Sequence, residues 1–497
     1  MLVKAKLLGL LTGKPVVILP KEIAKWLDVH IGERIKLKKY ATDKEIVAIV
    51  DIAKIEEKTD YIYISDEIAE FLNIKENDLI EIYPSLKPMS VFYIKKKLDG
   101  KKLNYNELYG IIKSIVNNEL TEAEVAYFIS AGYLRGMCYE EIKNLVKAMV
   151  DVGNKIKFNA KYVLDKHCIG GLAGNRTTPI VTSIIAASIK ELKLNAVMPK
   201  TSSRAITSAA GTADVVEQFS RVEFTIDEIK KIVNKAKACL VWGGSLGLSP
   251  ADDKIIQVER LLNLDPPNQL VASIMSKKIA VGSNILILDI PYGKGSKIEN
   301  KNEAIYLKNL FERIAKDFNI KIKVILTDGS SPIGNGIGPV LEAIDVIKVL
   351  KNKDDKPIDL YNKSLYLAKE LLKLIIERKK AENIVEKVIK NNLAFEAFKK
   401  IIQAQGGKIK EIEPSNIFKE IKSNKNGKIK FIDNKKINFL ARILGCPSDK
   451  SAGIYLNKKI NEKVERNETY ITLYAETKEK LEYGYKIFNE IKPIIIK

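Results

Sequence analysis

The first 84 residues contain two copies of one sequence pattern, and this repeat constrains the fold more than any other feature of the 497-residue chain. Residues 16–38 (VVILPKEIAKWLDVHIGERIKLK) align with residues 61–83 (YIYISDEIAEFLNIKENDLIEIY) at an offset of 45 positions. Each copy predicts a strand, a short helix, a turn and a second strand, because apolar residues alternate at both ends and recur at helical spacing between them. One copy alone cannot bury both faces of its strands. We therefore predict that the two copies intertwine into a small β-barrel, an N-terminal domain spanning residues 1–84.

The pattern becomes helical after the repeat. Apolar residues at helical spacing form a stripe, and Thr121 with Glu124 has the spacing of a capping box at the start of the next helix. The stripe consists of Leu108, Ile111, Ile112 and Ile115. We predict a helical lobe over residues 90–155.

Short apolar strands alternate with helices and glycine-rich turns in the longest part of the chain, which predicts an α/β lobe over residues 160–405. We expect a central mixed sheet there. Alternating apolar residues return after Gln405, as in KIKFIDN and TYITLYAET, and predict a β-rich C-terminal α+β domain over residues 410–497. The predicted fold class is therefore multidomain α/β.

Composition excludes several classes of protein. With 46% hydrophobic and 29% charged residues, the chain has the balance of a globular protein and not of a disordered one. The longest apolar run, residues 180–189, is too short to cross a membrane and contains Thr and Ser, so we interpret it as buried core. The start of the chain lacks the features of a signal peptide. We expect a cytoplasmic protein without membrane partners.

Metal and disulfide chemistry are not expected. The four cysteines lie far apart without a CxxC pair, and the chain contains only two histidines. Lys and Arg exceed Asp and Glu by 83 to 62, giving a net charge of +21, but the positive residues are scattered and mixed with Glu. We expect no nucleic-acid partner, no metal and no cofactor. The positive field suits a small phosphorylated substrate.

Two stretches rich in glycine, serine and threonine carry the expected chemistry. They are LDKHCIGGLAGNRTTP (164–179) and PKTSSRAITSAAGTADVVE (199–217). Phosphate is bound by such elements, because backbone N–H groups and hydroxyls donate hydrogen bonds while Lys and Arg supply the opposite charge. Neither stretch matches the motif of a P-loop NTPase or the dinucleotide fingerprint of a Rossmann dehydrogenase.

These two stretches, together with LVASIMSKKIAVG (270–282), resemble the signatures of the thymidine/pyrimidine nucleoside phosphorylase family. The resemblance extends from about residue 91 to the end and includes CPSDKSAGIYL. Within the family, the repeat barrel combined with GNRTT and SSRAITS resembles the archaeal AMP phosphorylase branch. The resemblance implies that residues of about 250–280 join the helical lobe, that the α/β lobe binds phosphate, and that the protein forms a homodimer or larger homo-oligomer.

The resemblance also implies a reaction, in which AMP and phosphate give adenine and ribose 1,5-bisphosphate, with CMP and UMP as further possible substrates. It places the proton donor at Asp265. The implied AMP-binding residues are Gly171, Ser203, Arg204, Ala205, Ile206, Thr207, Ser208, Thr212, Ser273 and Lys297. The implied phosphate-binding candidates are Lys166, Thr178, Ser202 and Thr212. For the 5′-phosphate, the candidate cations are Arg204, Lys294 and Lys297.

Departures from the family pattern keep alternatives open. The arginine with which nucleoside phosphorylases contact the pyrimidine falls near Val258 or Glu259 here, and Cys168 replaces a serine in the first stretch. The alternatives are a pyrimidine nucleoside phosphorylase acting on thymidine or uridine, a phosphoribosyltransferase, and a non-catalytic module that binds nucleic acid or protein through the barrel.

Overall fold

The computed structural model describes residues 1–54, 60–262 and 266–497. The strands are β1 (Leu2–Leu7), β2 (Val16–Pro20), β3 (Arg34–Lys39), β4 (Glu45–Ala53), β5 (Tyr61–Ile64), β6 (Leu79–Pro84), β7 (Tyr162–Cys168), β8 (Ala196–Ser202), β9 (Ala238–Trp242), β10 (Ile285–Tyr292), β11 (Lys321–Asp328), β12 (Gly336–Ile337), β13 (Phe418–Lys422), β14 (Gly427–Ile432), β15 (Gly453–Leu456), β16 (Lys463–Val464), β17 (Thr469–Tyr474) and β18 (Ile494–Ile496).

The helices are α1 (Lys21–Leu27), α2 (Asp66–Leu72), α3 (Met89–Leu98), α4 (Tyr105–Val116), α5 (Glu122–Arg135), α6 (Tyr139–Asp151), α7 (Thr177–Glu191), α8 (Thr212–Val216), α9 (Ile226–Ala236), α10 (Pro250–Leu262), α11 (Pro267–Ala280), α12 (Lys301–Asp317), α13 (Pro339–Leu350), α14 (Ile358–Leu372), α15 (Arg378–Lys390), α16 (Leu393–Ala404), α17 (Asn434–Ile443) and α18 (Lys478–Ile491). The described residues divide into two compact units. The first contains residues 1–153 and 249–276, and the second contains residues 154–248 and 277–497.

The repeat forms a closed six-stranded barrel in the first unit, with the strand order β1-β5-β2-β4-β3-β6. Strands from the first half of the domain (β1, β2, β3) therefore alternate with strands from the second half (β4, β5, β6) all the way around. The inward side chains make one apolar core, in which Val17, Leu19, Ile62 and Ile64 are fully buried. This arrangement confirms the prediction that the two copies intertwine.

Helices α3 to α6 and α10 form a bundle in the same unit. The predicted stripe on α4 is buried, and the capping box of α5 is present, with Thr121 and Glu124 each accepting a hydrogen bond from the other's backbone N–H. The buried Arg34 of the barrel reaches this bundle, where its Nε donates to the carbonyl of Glu119 over 2.7 Å and its Nη2 to Glu124. The barrel and the bundle are thus joined by a buried ion pair.

The second unit is built on a five-stranded sheet in the order β11-β10-β7-β8-β9. Our prediction of a mixed sheet is wrong, because every described pairing in it is parallel. The physical reason is that at least one helix separates each strand of this sheet from the next one along the chain, and such a crossover returns the chain to the edge from which it started. The carboxyl ends of all five strands therefore lie at one edge of the sheet.

Helix α7 lies at the centre of the core of this unit. All its residues from Thr177 to Ile189 are buried, and it packs against α14, α15 and α16. A helix that is apolar on all sides is expected only in such an interior position. The prediction that residues 180–189 form buried core is confirmed. The N-terminus of α7, which the first glycine-rich stretch enters, is buried as well.

The C-terminal segment carries helices as well as strands. A four-stranded sheet (β12-β15-β17-β13) and a three-stranded sheet (β16-β14-β18) pack with α17 and α18 around a core of aliphatic residues. Strand β12 comes from the loop after β11, so the chain contributes one short strand from far upstream to this sheet. No helix within the described ranges has both the length and the hydrophobicity to cross a membrane.

Candidate active site

Three loops follow parallel strands of the five-stranded sheet in the second unit and lie at the same edge of that sheet. We call residues 169–176, between β7 and α7, the first loop, residues 203–211, between β8 and α8, the second loop, and residues 329–335, between β11 and β12, the third loop. Ligands of open parallel sheets bind outside the carboxyl ends of the strands. The two stretches singled out in the sequence therefore lie where such a fold binds its ligands.

The first loop passes very close to the segment after β10. Gly171 has φ +80°, and a Cβ atom built there would lie 2.5 Å from Cβ of Lys297. Only glycine adopts this conformation without strain and leaves room for the neighbouring backbone. Two predicted AMP-binding positions, 126 residues apart in sequence, are thereby brought into contact.

Arg176 connects the first loop to the second. Its Nη1 donates to Oγ1 of Thr212 over 2.9 Å, its Nη2 donates to the carbonyl oxygen of Ala210 over 3.0 Å, and its Nε donates to Glu342 over 2.6 Å. Glu342 is buried, and this burial raises its pKa against the opposing effect of the arginine. Arg176 lies in the first glycine-rich stretch, and its bridge to Glu342 on α13 is a finding of the structure.

Asp214 fixes the path of the second loop. Its Oδ2 accepts hydrogen bonds from the backbone N–H groups of Ala205 and Gly211, each over 2.7 Å. The carboxylate is buried, so the two bonds hold both ends of the loop. Ser203, Ala205, Ile206, Thr207 and Ser208 all lie in this loop.

Arg204 lies in the second loop with its guanidinium turned towards carboxylates. It forms two hydrogen bonds of 2.7 Å to Glu217 and one of 2.8 Å to Glu223, and it stacks 4.9 Å from the ring of Trp242. These partners raise the pKa of Arg204 above its usual value, the hydrogen bonds to Glu217 contributing most. Its positive charge is therefore largely compensated within the protein.

The predicted phosphate residues lie at the two strand ends. Nζ of Lys166 donates to the hydroxyls of Thr177 (2.7 Å) and Thr178 (3.2 Å), which are the first two residues of α7. Burial lowers the pKa of Lys166. The hydroxyl of Ser202 is buried and has no hydrogen-bond partner among the described residues. A buried hydroxyl without a partner is rare in folded proteins, and it is available to a ligand.

Besides the pair of Arg176 and Glu342, a buried ion pair of Lys363 and Asp289 lies near Lys166. Lys363 on α14 contacts Asp289 on β10 over 2.9 Å, and Thr327 donates to the same carboxylate over 2.6 Å. Burial opposes ionisation of Asp289, but the charges of Lys363 and Lys166 outweigh it and hold its pKa below the usual value. None of these partners was predicted, because a polar residue in a strand or helix gives no sign in the sequence of the distant residue that it contacts.

The neighbouring residues of the KHC sequence are neutral. Burial, with the charges of Lys278 and Lys200, lowers the pKa of His167 well below its usual value. Burial also raises the pKa of Cys168 to about 11, and its Sγ accepts a hydrogen bond from Asn175. The cysteine that replaces the expected serine is thus a thiol near neutral pH.

Three predicted site residues remain: Ser273, Asp265 and Lys294. Ser273 belongs to the first unit, where its hydroxyl donates to Asp252 over 2.8 Å. Asp265, the predicted proton donor, lies outside the described residues. Lys294, a candidate for the 5′-phosphate, is placed with its Nζ 4.8 Å from the ring of Phe431.

Comparison with known proteins decides the family. The chain is 38% identical over its full length to the AMP phosphorylase of Methanococcoides burtonii, covering 97% of that protein, and 37% identical over its full length to that of Thermofilum pendens, covering 95%. The chain belongs to the AMP phosphorylase family. A putative thymidine phosphorylase of Legionella pneumophila is 38% identical over 87% of this chain and 83% of its own length. Membership of this family confirms the resemblance found in the sequence.

Two parts of the chain also match described domain families. Residues 91–153 match the helical bundle domain of a glycosyl transferase family, and residues 428–492 match the pyrimidine nucleoside phosphorylase C-terminal domain. Among solved structures, anthranilate phosphoribosyltransferase from Thermus thermophilus superimposes with a TM-score of 0.52 at 15% identity, over 63% of this chain and 99% of that one. This likeness shows a shared fold over that share of the chain.

Proposed function

We propose that the protein is a phosphorylase of nucleoside 5′-monophosphates that converts AMP and phosphate to adenine and ribose 1,5-bisphosphate. The observation that carries the proposal is the bridge made by Arg176, which holds two loops rich in N–H and hydroxyl donors side by side at the carboxyl edge of the sheet. The names of the relatives from Methanococcoides burtonii and Thermofilum pendens support the same substrate.

The proposed reaction is a displacement at C1′ of the ribose. An oxygen of inorganic phosphate forms a bond to C1′, the bond between C1′ and the base nitrogen breaks, and its electron pair leaves with the base. The base then takes one proton from Asp265, which ends the step as a carboxylate. General acid catalysis of this kind contributes roughly 10²–10⁴-fold in rate.

The attacking phosphate would be held by Lys166, Thr178, Ser202 and Thr212. The free hydroxyl of Ser202 and the first turn of the buried helix α7 support this assignment, since both offer donors to an anion. Phosphate itself is the nucleophile, so the protein contributes by positioning and charge compensation. No metal or organic cofactor takes part in the proposed reaction.

AMP would occupy the space along the second loop and Gly171, with Ser203 to Ser208, Thr212 and Ser273 as further contacts. For its 5′-phosphate we favour Lys297 over Arg204. The backbone of Lys297 lies against Gly171 in the first loop, whereas the charge of Arg204 is compensated by Glu217 and Glu223. We also propose that the protein acts in the cytoplasm and forms a homodimer or larger homo-oligomer. For its domains we keep the bounds predicted from the sequence, at residues 1–84, 90–155, 160–405 and 410–497.

The second candidate function is a pyrimidine nucleoside phosphorylase. The identity of 38% to a putative thymidine phosphorylase is the observation that favours it. The two candidates differ in whether the substrate carries a 5′-phosphate.

Substrate profiling separates them. The purified protein is incubated with AMP, CMP, UMP, thymidine and uridine, each with and without inorganic phosphate, and free base is measured. We expect base release from AMP that requires phosphate. A preference for thymidine or uridine would establish the second candidate, and base release without phosphate would contradict phosphorolysis.

The role of Asp265 is tested with Asp265→Asn, which removes the acidic proton and keeps the shape of the side chain. We expect AMP binding within about twofold of wild type and turnover lower by roughly 10²-fold or more. Asp227→Asn, on an exposed helix start, is the control. Unchanged turnover in Asp265→Asn would remove Asp265 from the role of acid.

A further inference from the structure

Helix α17 in the C-terminal segment presents three polar side chains at a spacing of four residues: Asn434, Asn438 and Arg442. Residues four apart lie on the same face of a helix, so these three form one row about 12 Å long. We call them the α17 row. The structure places a backbone group of one of the site loops against each member of the row.

Asn434 connects the first loop to the third. It is fully buried, its Oδ1 accepts from the N–H of Ala173 over 3.2 Å, and its Nδ2 donates to the carbonyl of Gly329 over 3.1 Å. The third loop in turn supports the first, because a Cβ at Gly174 would lie 2.4 Å from the carbonyl oxygen of Ile333. The first loop is therefore supported in two ways. It packs directly against the third loop, and the two hydrogen bonds of Asn434 connect the same two loops.

The other two members of the row hold the second loop. Oδ1 of Asn438 accepts from the N–H of Ala209 over 3.1 Å, and Nη1 of Arg442 donates to the carbonyl of Ile206 over 2.9 Å. These contacts reach the middle of the loop, whereas Asp214 holds its two ends. Without the row, the segment between Ala205 and Gly211 would lose the hydrogen bonds from Asn438 and Arg442, which hold its backbone beside the proposed AMP site.

We propose that the α17 row sets the relative position of the two anion-binding loops, with Asn438 and Asn434 as positioning residues that do not touch the substrate. The proposal rests on the proposed function, because it assigns the row to the binding of phosphate and nucleotide. A loop displaced by a fraction of an ångström loses part of the donor geometry on which such binding depends.

The test uses the full chain with Asn438→Leu, which removes the acceptor for Ala209 and keeps the same number and branching of side-chain heavy atoms. Asn438 is only half-buried, so this variant is expected to fold. Phe439→Ala is the matched control, since Phe439 is the next residue of α17 and is 50% exposed. Asn438→Asp retains an oxygen acceptor at the same place and is the conservative rescue.

Two measurements are made on each variant. The first is amide hydrogen exchange of residues 203–211, which reports local opening of the second loop. We expect roughly fivefold or faster exchange there in Asn438→Leu, exchange near wild type in Asn438→Asp, and no change in the strands of the sheet. The second is steady-state kinetics, in which Asn438→Leu should raise the KM values for phosphate and AMP roughly fivefold or more while kcat changes less.

The outcomes separate this inference from the proposed function. Exchange in the second loop of Asn438→Leu equal to that of Phe439→Ala overturns the positioning role, as does faster exchange spread over the whole sheet. Faster local exchange with unchanged KM values overturns the assignment of the row to substrate binding. If the wild-type protein releases no base with phosphate, the proposed function fails, while the exchange measurement still decides whether the row positions the loop.

Discussion

Single residues at the site are constrained mainly by the backbone that passes next to them. Gly171 and Gly170 both have positive φ, of +80° and +91°, but only Gly171 lies against another segment. The nearest atoms to a Cβ at Gly171 belong to Lys297, whereas a Cβ at Gly170 would meet nothing within 4 Å. The two glycines thus carry the same conformational strain and differ only in the close approach.

We predict that Gly171→Ala lowers kcat/KM by roughly tenfold or more relative to Gly170→Ala, because the new methyl group must displace Lys297 or the first loop. Both variants lose stability through the strained φ, so the comparison between them isolates the contact. Steady-state kinetics with AMP and phosphate measures the difference. Equal activities in the two variants would show that the contact between Gly171 and Lys297 is not needed for turnover.

At the scale of elements, the third loop is held by a buried carboxylate. Oδ2 of Asp345 on α13 accepts from the N–H groups of Asn335 (2.7 Å) and Gly336 (2.8 Å). Burial raises the pKa of Asp345 from 3.8 to about 6, against the effect of these two hydrogen bonds. The folded protein therefore binds this proton more tightly than the unfolded chain, and the stability contributed by Asp345 falls as the pH rises from about 4 to about 6.

We predict that wild type loses stability relative to Asp345→Asn over this pH range, because the amide side chain of the variant does not ionise. A difference of about two pKa units corresponds to about 3 kcal/mol. Melting temperatures at pH 4.5 and pH 7.5 measure the effect, and Asp354→Asn, at an exposed position, is the control. Parallel pH profiles of wild type and Asp345→Asn would contradict the raised pKa.

Elements whose pattern is continuous in sequence could be predicted, and those assembled from distant single residues could not. Both copies of the repeat and both glycine-rich stretches are contiguous, so the barrel and the first two loops were recognisable. The direction of the sheet strands was missed, although nearly continuous apolar runs such as ILILDIPY are typical of parallel strands buried on both faces. Glu342 and Asn438 reach the loops from 130 or more residues away, and an isolated polar residue in a helix gives no signal of its partner.

At the scale of the whole molecule, Arg34 makes a buried contact between the barrel and the helical bundle of the same unit. Its side chain is 5% exposed, and it serves both the carbonyl of Glu119 and the carboxylate of Glu124. Glu124 also caps α5 by accepting from the N–H of Thr121 over 2.8 Å. Removing Arg34 would leave a largely buried carboxylate without its countercharge.

We predict that Arg34→Leu lowers the free energy of unfolding of this unit by about 3 kcal/mol, as is typical when one partner of a buried ion pair is removed. Chymotrypsin should also cut faster after the exposed Leu86, in the segment between β6 and α3. The control is Lys36→Ala, whose ion pair with Glu45 is exposed and is expected to contribute less than about 1 kcal/mol. Equal proteolysis rates in the two variants would show that Arg34 does not join the barrel to the bundle.

The alternation of strands around the barrel has a consequence for biosynthesis. Each strand has both of its neighbours in the other half of the domain, so the first half (β1 to β3) has no strand pairing of its own when it leaves the ribosome. Its unpaired edges and apolar side chains stay open to chaperones or to other nascent chains until β6, which ends at Pro84, has also emerged. The barrel can therefore close only after about residue 84 of the 497-residue chain has emerged, and slow codons before that point would prolong the interval in which neighbouring polypeptides on a polysome can exchange strands.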